Sequence, residues 1–168
     1  AASFSVNFSE NSGNQGFAGG ENIGPLSTNS TNWNTTNGQP SLVSGTMDLL
    51  TEDDGTAFGV PPSMTWSCSN TYWNNDGTAN DQRKLSVGYL DDGGAGFLIT
   101  VTNIPYSNYR VYGLVATDQN AAGEYDVRNF YVNSELIFGG DESTTALGYG
   151  SVNASETGTT LSWSPMDA

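Results

Sequence analysis

Residues 97–117 read FLITVTNIPYSNYRVYGLVAT, and this stretch decides the fold class. Phe97 to Thr102 is a run of aromatic, aliphatic and β-branched residues, the composition of a strand, and Asn103-Ile104-Pro105 ends it. Tyr109 to Thr117 then alternates Tyr109, Val111, Gly113 and Val115 against Arg110, Tyr112, Leu114 and Ala116. Both of its faces are largely apolar, so a central strand between packed layers is expected. Upstream, Met64, Trp66 and Cys68 alternate after Pro61-Pro62, Leu42 to Leu49 forms a weaker strand closed by Asp53-Asp54-Gly55, and Phe4, Val6 and Phe8 alternate near the start. Leu85, Val87 and Tyr89 alternate before Asp91-Asp92. Downstream, Tyr125 to Val132 and Leu136 to Phe138 read as two strands joined through Asn133-Ser134, a tight hairpin, and Leu161 with Trp163 marks a last short strand. No window of a dozen residues has helical apolar spacing. The expected fold is an all-β, jelly-roll-like antiparallel β-sandwich of about eight or nine strands, with long polar loops, in a single domain spanning residues 1–168.

The composition narrows the chemistry. The 168 residues carry 4 Lys+Arg against 18 Asp+Glu, a net charge of −14, so a phosphate backbone or an anionic membrane surface would be repelled and nucleic acid is set aside. No histidine is present, which removes serine and cysteine triads that rely on imidazole, and histidine-bound zinc or copper. Leu, Ile, Val and Phe together number 32, a low share that points toward disorder, but Trp and Tyr add twelve large side chains and charged residues are only 13 %. A folded, loop-rich β protein reconciles these numbers. No apolar run reaches the roughly 20 residues of a membrane span. Cys68, the one cysteine, is in phase with Met64 and Trp66 and reads as a small buried apolar residue. The small residues of AASFSVNF resemble what is left after cleavage at a signal-peptidase site, so secretion is expected.

The two long polar loops hold the candidate site. Sugar rings present apolar C–H faces and a hydroxyl rim, so proteins that bind them combine a flat aromatic platform with amide or carboxylate partners. Tyr72 and Trp73 beside Asn75, Asp76, Asn80 and Asp81 supply both on one loop, and Trp33 with Asn34 repeats the pattern on another. These eight are the expected glycan-binding residues, with polysaccharide or oligosaccharide as partner. The competing structural reading has each tryptophan plugging the end of the sandwich while its asparagine neighbours hold turns. Trp66, Trp163 and Tyr89 are expected in the core. Calcium is an open alternative because oxygen ligands are abundant, but the Asp76 to Asp81 stretch lacks the ordered calcium-loop spacing and no ligand set stands out, so the metal residues stay unassigned. Paired carboxylates need no histidine, but the Glu residues fall singly in loops, so a non-catalytic module is preferred over a glycosidase.

Four segments carry a resemblance: SVNFSEN, Asn32-Trp33-Asn34, LSVGYLDD, and ITVTNIPYSNYRVYGLVATD followed by YDVRNFYVN. Over Val6 to about Asn133 the chain resembles secreted bacterial β-sandwich modules that carry PEP-CTERM-type sorting tails or accompany polysaccharide-degrading enzymes. The resemblance implies a carbohydrate-binding jelly roll and transfers no catalytic residue. Such modules usually continue past the strand corresponding to Leu161-Ser162-Trp163, so the module is trimmed there, closes differently, or leaves an edge open to a neighbouring chain. An open edge would support a second reading, an extracellular matrix, sheath or filament subunit assembling through it.

Overall fold

Apolar and hydroxylic residues alternate through Met64–Cys68 and Ile99–Thr102, which makes a sheet with one wet and one dry face. The computed structural model describes residues 2–8, 32–36, 39, 41, 43–73, 88–91, 96–115, 130–133, 135–138, 150–157 and 161–165. Every regular element among them is a strand: β1 (Ser5–Asn7), β2 (Trp33–Thr35), β3 (Ser44–Asp48), β4 (Ser63–Cys68), β5 (Asn70–Trp73), β6 (Gly88–Asp91), β7 (Phe97–Thr102), β8 (Asn108–Val115), β9 (Phe130–Val132), β10 (Glu135–Phe138), β11 (Gly150–Thr157) and β12 (Leu161–Pro165). The chain is therefore β-rich, with more and shorter strands than the eight or nine expected.

Six strands form the main sheet in the order β10-β9-β12-β7-β4-β3, antiparallel throughout. Its register lines up two apolar rows. Met47, Met64, Val101 and Leu161 occupy one, and Gly45, Trp66, Ile99, Trp163 and Val132 the other. Met64, Trp66, Ile99, Val101 and Val132 are buried, and Leu49 and Ile104 complete that core cluster. The opposite face carries Ser44, Thr46, Thr65 and Ser67, all exposed. Gly45 is required by its row: an added Cβ would overlap Cζ2 and Cη2 of the Trp66 indole, with Cε2 at 3.2 Å.

Phe4, Val6 and Phe8 around β1, Leu90 on β6, and Tyr109 and Val111 on β8 pack against this core. Phe8 meets Trp66 edge to face, with centroids 6.3 Å apart. These residues come from three two-stranded sheets, β1 with β2 in parallel, β5 with β6, and β8 with β11.

The hairpin expected at Asn133-Ser134 is present. Val132 pairs with Glu135, and Asn133 has a φ of 48°, the left-handed backbone that a primed two-residue turn needs. Among the described residues β8, expected as a central strand, pairs with β11 alone, and its Arg110 is exposed. β12, where a trimmed end, a different closure or an open edge was expected, lies between β9 and β7, and among the described residues the sheet ends at β10 and β3.

Candidate functional site

Trp33 and Asn34 lie on β2, where Ser5 pairs with Trp33 and Val6 with Asn34. The period of two along this short strand turns Asn34 inward. It is only 6 % exposed, and its amide is fully used. The Nδ2 group donates to the Ser5 carbonyl at 3.2 Å and the Thr51 carbonyl at 2.9 Å, while Oδ1 accepts from the Leu50 N–H at 2.8 Å and the Thr51 N–H at 3.3 Å. Two donors and two acceptors exhaust a primary amide. Asn34 therefore ties β2 to the segment after β3, and no hydrogen-bonding group of its side chain is left for a ligand. Its neighbour Asn32 does related work, donating Nδ2 to the Asp53 carbonyl at 3.0 Å. Trp33 is half-buried with its Nε1 atom inside.

The acidic turn between β3 and β4 lies beside this strand. Gly55, with φ 88°, closes it by donating its N–H to the Glu52 carbonyl at 2.9 Å. Each carboxylate of the turn has a local task. Glu52 Oε1 accepts from the Tyr106 hydroxyl at 2.8 Å, Asp53 Oδ2 accepts from Ser3 Oγ at 2.6 Å, and Asp54 Oδ1 accepts from the Thr56 N–H at 2.9 Å. The Thr56 amide holds the Asp54 carboxyl below the usual carboxylate range. Burial, then the bond to Glu52, pushes the Tyr106 phenol well above its ordinary value, so Tyr106 keeps its proton and donates. Phe4 stacks on Tyr106 at 6.1 Å and meets Phe58 edge to face at 5.8 Å, which fixes the phenol in place. This turn is a clasp on the chain's first strand. Among the described residues no three metal-ligating side chains converge.

Tyr72 and Trp73 lie on β5, which pairs with β6 so that Asn70 faces Asp91, Thr71 faces Leu90, Tyr72 faces Tyr89 and Trp73 faces Gly88. Alternation assigns these positions to two faces. Positions 71, 73, 88 and 90 share one, and Leu90 on it packs against the core. Positions 70, 72, 89 and 91 share the other, where Asn70 is exposed. The register thus groups Tyr72 with Tyr89, which was expected in the core, and with Asn70 and Asp91, which sequence reasoning missed. Asn75, Asp76, Asn80 and Asp81 lie in the connection between the two strands, outside the described residues. Trp33 belongs to the β1–β2 pair and Tyr72 and Trp73 to the β5–β6 pair, two separate sheets. Knowing which strand pairs with β5, and in which register, would have revealed the group, but the long connection hid it.

Cys68 ends β4, half-buried, with its thiol donating to the Asn70 carbonyl at 2.9 Å. The chain matches no protein-family model, no curated protein and no solved structure.

Proposed function

We propose that the chain is a non-catalytic carbohydrate-binding module of a secreted bacterial protein, taking glycan on the β5–β6 hairpin and its connection. The supporting observation is the hairpin register, which assigns two tyrosines, an amide and a carboxylate to one face, with exposed Asn70 among them. Phenol rings offer flat apolar surface with a polar tip, and amide and carboxylate groups match the hydroxyl rim of a sugar. In this reading Asn75, Asp76, Asn80 and Asp81 of the connection add further amide and carboxylate partners, whereas Trp73 takes the hairpin's other face, with Leu90. The three two-stranded sheets form the second layer of a jelly-roll-like sandwich over the dry face of the six-stranded sheet. The packing of Phe4, Val6, Phe8, Leu90, Tyr109 and Val111 against that face supports this.

Binding on such an open face is weak. Stacking of about 1–3 kcal/mol per ring, by analogy with rings stacked on nucleic-acid bases, gives micromolar to millimolar affinity. Affinity electrophoresis against cellulose, xylan, mannan and β-glucan, with and without a chelator, tests the reading and separates a calcium requirement from its absence. Retardation by one polysaccharide, lost in Tyr72→Ala and in Tyr89→Ala, is the expected result. Absence of retardation by any of them, or retardation indifferent to both substitutions, defeats it.

A further inference from the structure

Among the described residues the main sheet ends at β3, and two hydrogen bonds at that strand's ends reveal which of its backbone groups face outward. The Cys68 N–H donates to the Val43 carbonyl at 2.7 Å, and the Leu49 N–H to the Pro62 carbonyl at 2.8 Å. Both fit the register that pairs Ser44 with Ser67 through to Asp48 with Ser63. Bonding residues alternate along an antiparallel ladder. Val43, Gly45, Met47 and Leu49 therefore bond toward β4, and the N–H and C=O groups of Ser44, Thr46 and Asp48 point away from the sheet.

Natural edges are usually blunted by lysine, proline, a bulge or a covering segment. β3 has neither Lys nor Pro, and its register runs without a shift. The far edge differs: β10 is broken by a register shift between Leu136 and Phe138.

We propose that β3 pairs with β3 of a second copy of the chain, antiparallel about Thr46, and joins two six-stranded sheets into one. The inference is independent of the glycan reading. In this register Thr46 faces Thr46, and Ser44 faces Asp48 on either side. Each strand offers three outward N–H and three outward C=O groups, and all of them find a partner across the twofold axis. Sliding the register by two residues leaves some of them unpaired. The side chains agree: Thr–Thr is a favourable cross-strand pair, and a serine hydroxyl opposite Asp48 can donate to the carboxylate. A register that places Asp48 against Asp48 repels. The edge thus complements itself, as a closed dimer requires. Exposed Ser44, Thr46 and Asp48 offer no apolar pocket to a hydrophobic peptide.

The net charge of −14 on each copy opposes association, so the dimer strengthens as salt shortens the Debye length from about 10 Å at 0.1 M to about 3 Å at 1 M. Sedimentation velocity of the chain from about 10 µM to about 1 mM, in low salt and in about 0.5 M NaCl, reads this directly, since a contact smaller than a standard interface associates weakly. A mass rising from 17.7 kDa to twice that, more readily in high salt, is expected. Thr46→Pro removes an outward N–H and none that faces β4, so it leaves tryptophan fluorescence unchanged and abolishes the dimer. Ser44→Lys places two lysines opposite two Asp48 side chains and tightens the dimer about 2- to 30-fold, whereas Ser44→Asp loosens it by a similar factor. A chain that stays monomeric at the highest concentration in both salts overturns the proposal. So do open polymers in place of a dimer, a folded Thr46→Pro variant that dimerises like the parent, or Ser44→Lys and Ser44→Asp variants that associate equally.

Discussion

Replacing Asn34 by alanine removes all four hydrogen bonds that join β2 to Ser5, Leu50 and Thr51. Two carbonyls and two N–H groups then lose their partner together. At about 1 kcal/mol net for each, the upper figure is about 4 kcal/mol. Leu50 is 62 % exposed, so water reaches part of the vacated site and the loss falls to about 2–4 kcal/mol. With a urea m-value of about 2 kcal/mol/M, the unfolding midpoint drops by about 1–2 M at unchanged m, read by tryptophan fluorescence. Asn34→Asp sharpens the test. The new carboxyl can still accept from the Leu50 and Thr51 N–H groups, but its second oxygen faces the Ser5 and Thr51 carbonyls, to which only a protonated carboxyl can donate. Its folded pKa therefore rises above the unfolded value of about 3.9. The sign follows: the variant keeps most of its stability below about pH 4 and loses it as pH rises through the folded pKa. A midpoint for Asn34→Ala equal to the parent's, or an Asn34→Asp variant no less stable at pH 7 than at pH 3 relative to the parent, refutes the reasoning. Loss of polysaccharide retardation in Asn34→Ala at an unchanged midpoint would return that residue to the binding surface.

Three further outcomes are expected. Gly45→Ala drives a methyl into the buried Trp66 indole and destabilises the fold by about 1–3 kcal/mol, seen as a lower urea midpoint together with a shifted tryptophan emission. Leu49→Ala empties a site that is 0 % exposed and costs about 2–5 kcal/mol by the same assay; a change under about 1 kcal/mol would mean that the core does not close over Leu49. Tyr106→Phe deletes the bond to Glu52 and lowers stability at neutral pH. Because the folded phenol titrates above its unfolded value of about 10, the parent's advantage is complete below about pH 10 and shrinks as pH rises toward the folded value. Midpoints of parent and variant measured from pH 8 to 11 should converge, and a constant gap refutes the assignment.

What was legible in the sequence follows from how strongly each residue's environment marks it. Met64, Trp66, Ile99 and Val101 alternate cleanly, and all four are buried where alternation puts them. The Asn133-Ser134 turn was legible because few residues tolerate a left-handed backbone. β11 was missed because GSVNASET is mostly small and polar, and β2 because three residues give no period. Asn34 illustrates the deeper difficulty. An asparagine that feeds four backbone groups and an asparagine poised for a ligand have the same neighbours in sequence, and only burial separates them. The pairing of Tyr72 with Tyr89 depended on a register between strands separated by a long connection, which local pattern does not encode.

The position of β12 in the middle of the main sheet governs how the protein is made. On a ribosome delivering about 5–20 residues per second, β3, β4 and β7 emerge early and can zip together, but the β9–β10 hairpin has nothing to join until Leu161–Pro165 arrives to bridge it to β7. For that interval the FLITVT strand offers one side of its backbone to any passing polypeptide. Nascent chains stalled before residue 161 should therefore be sticky and dependent on chaperones.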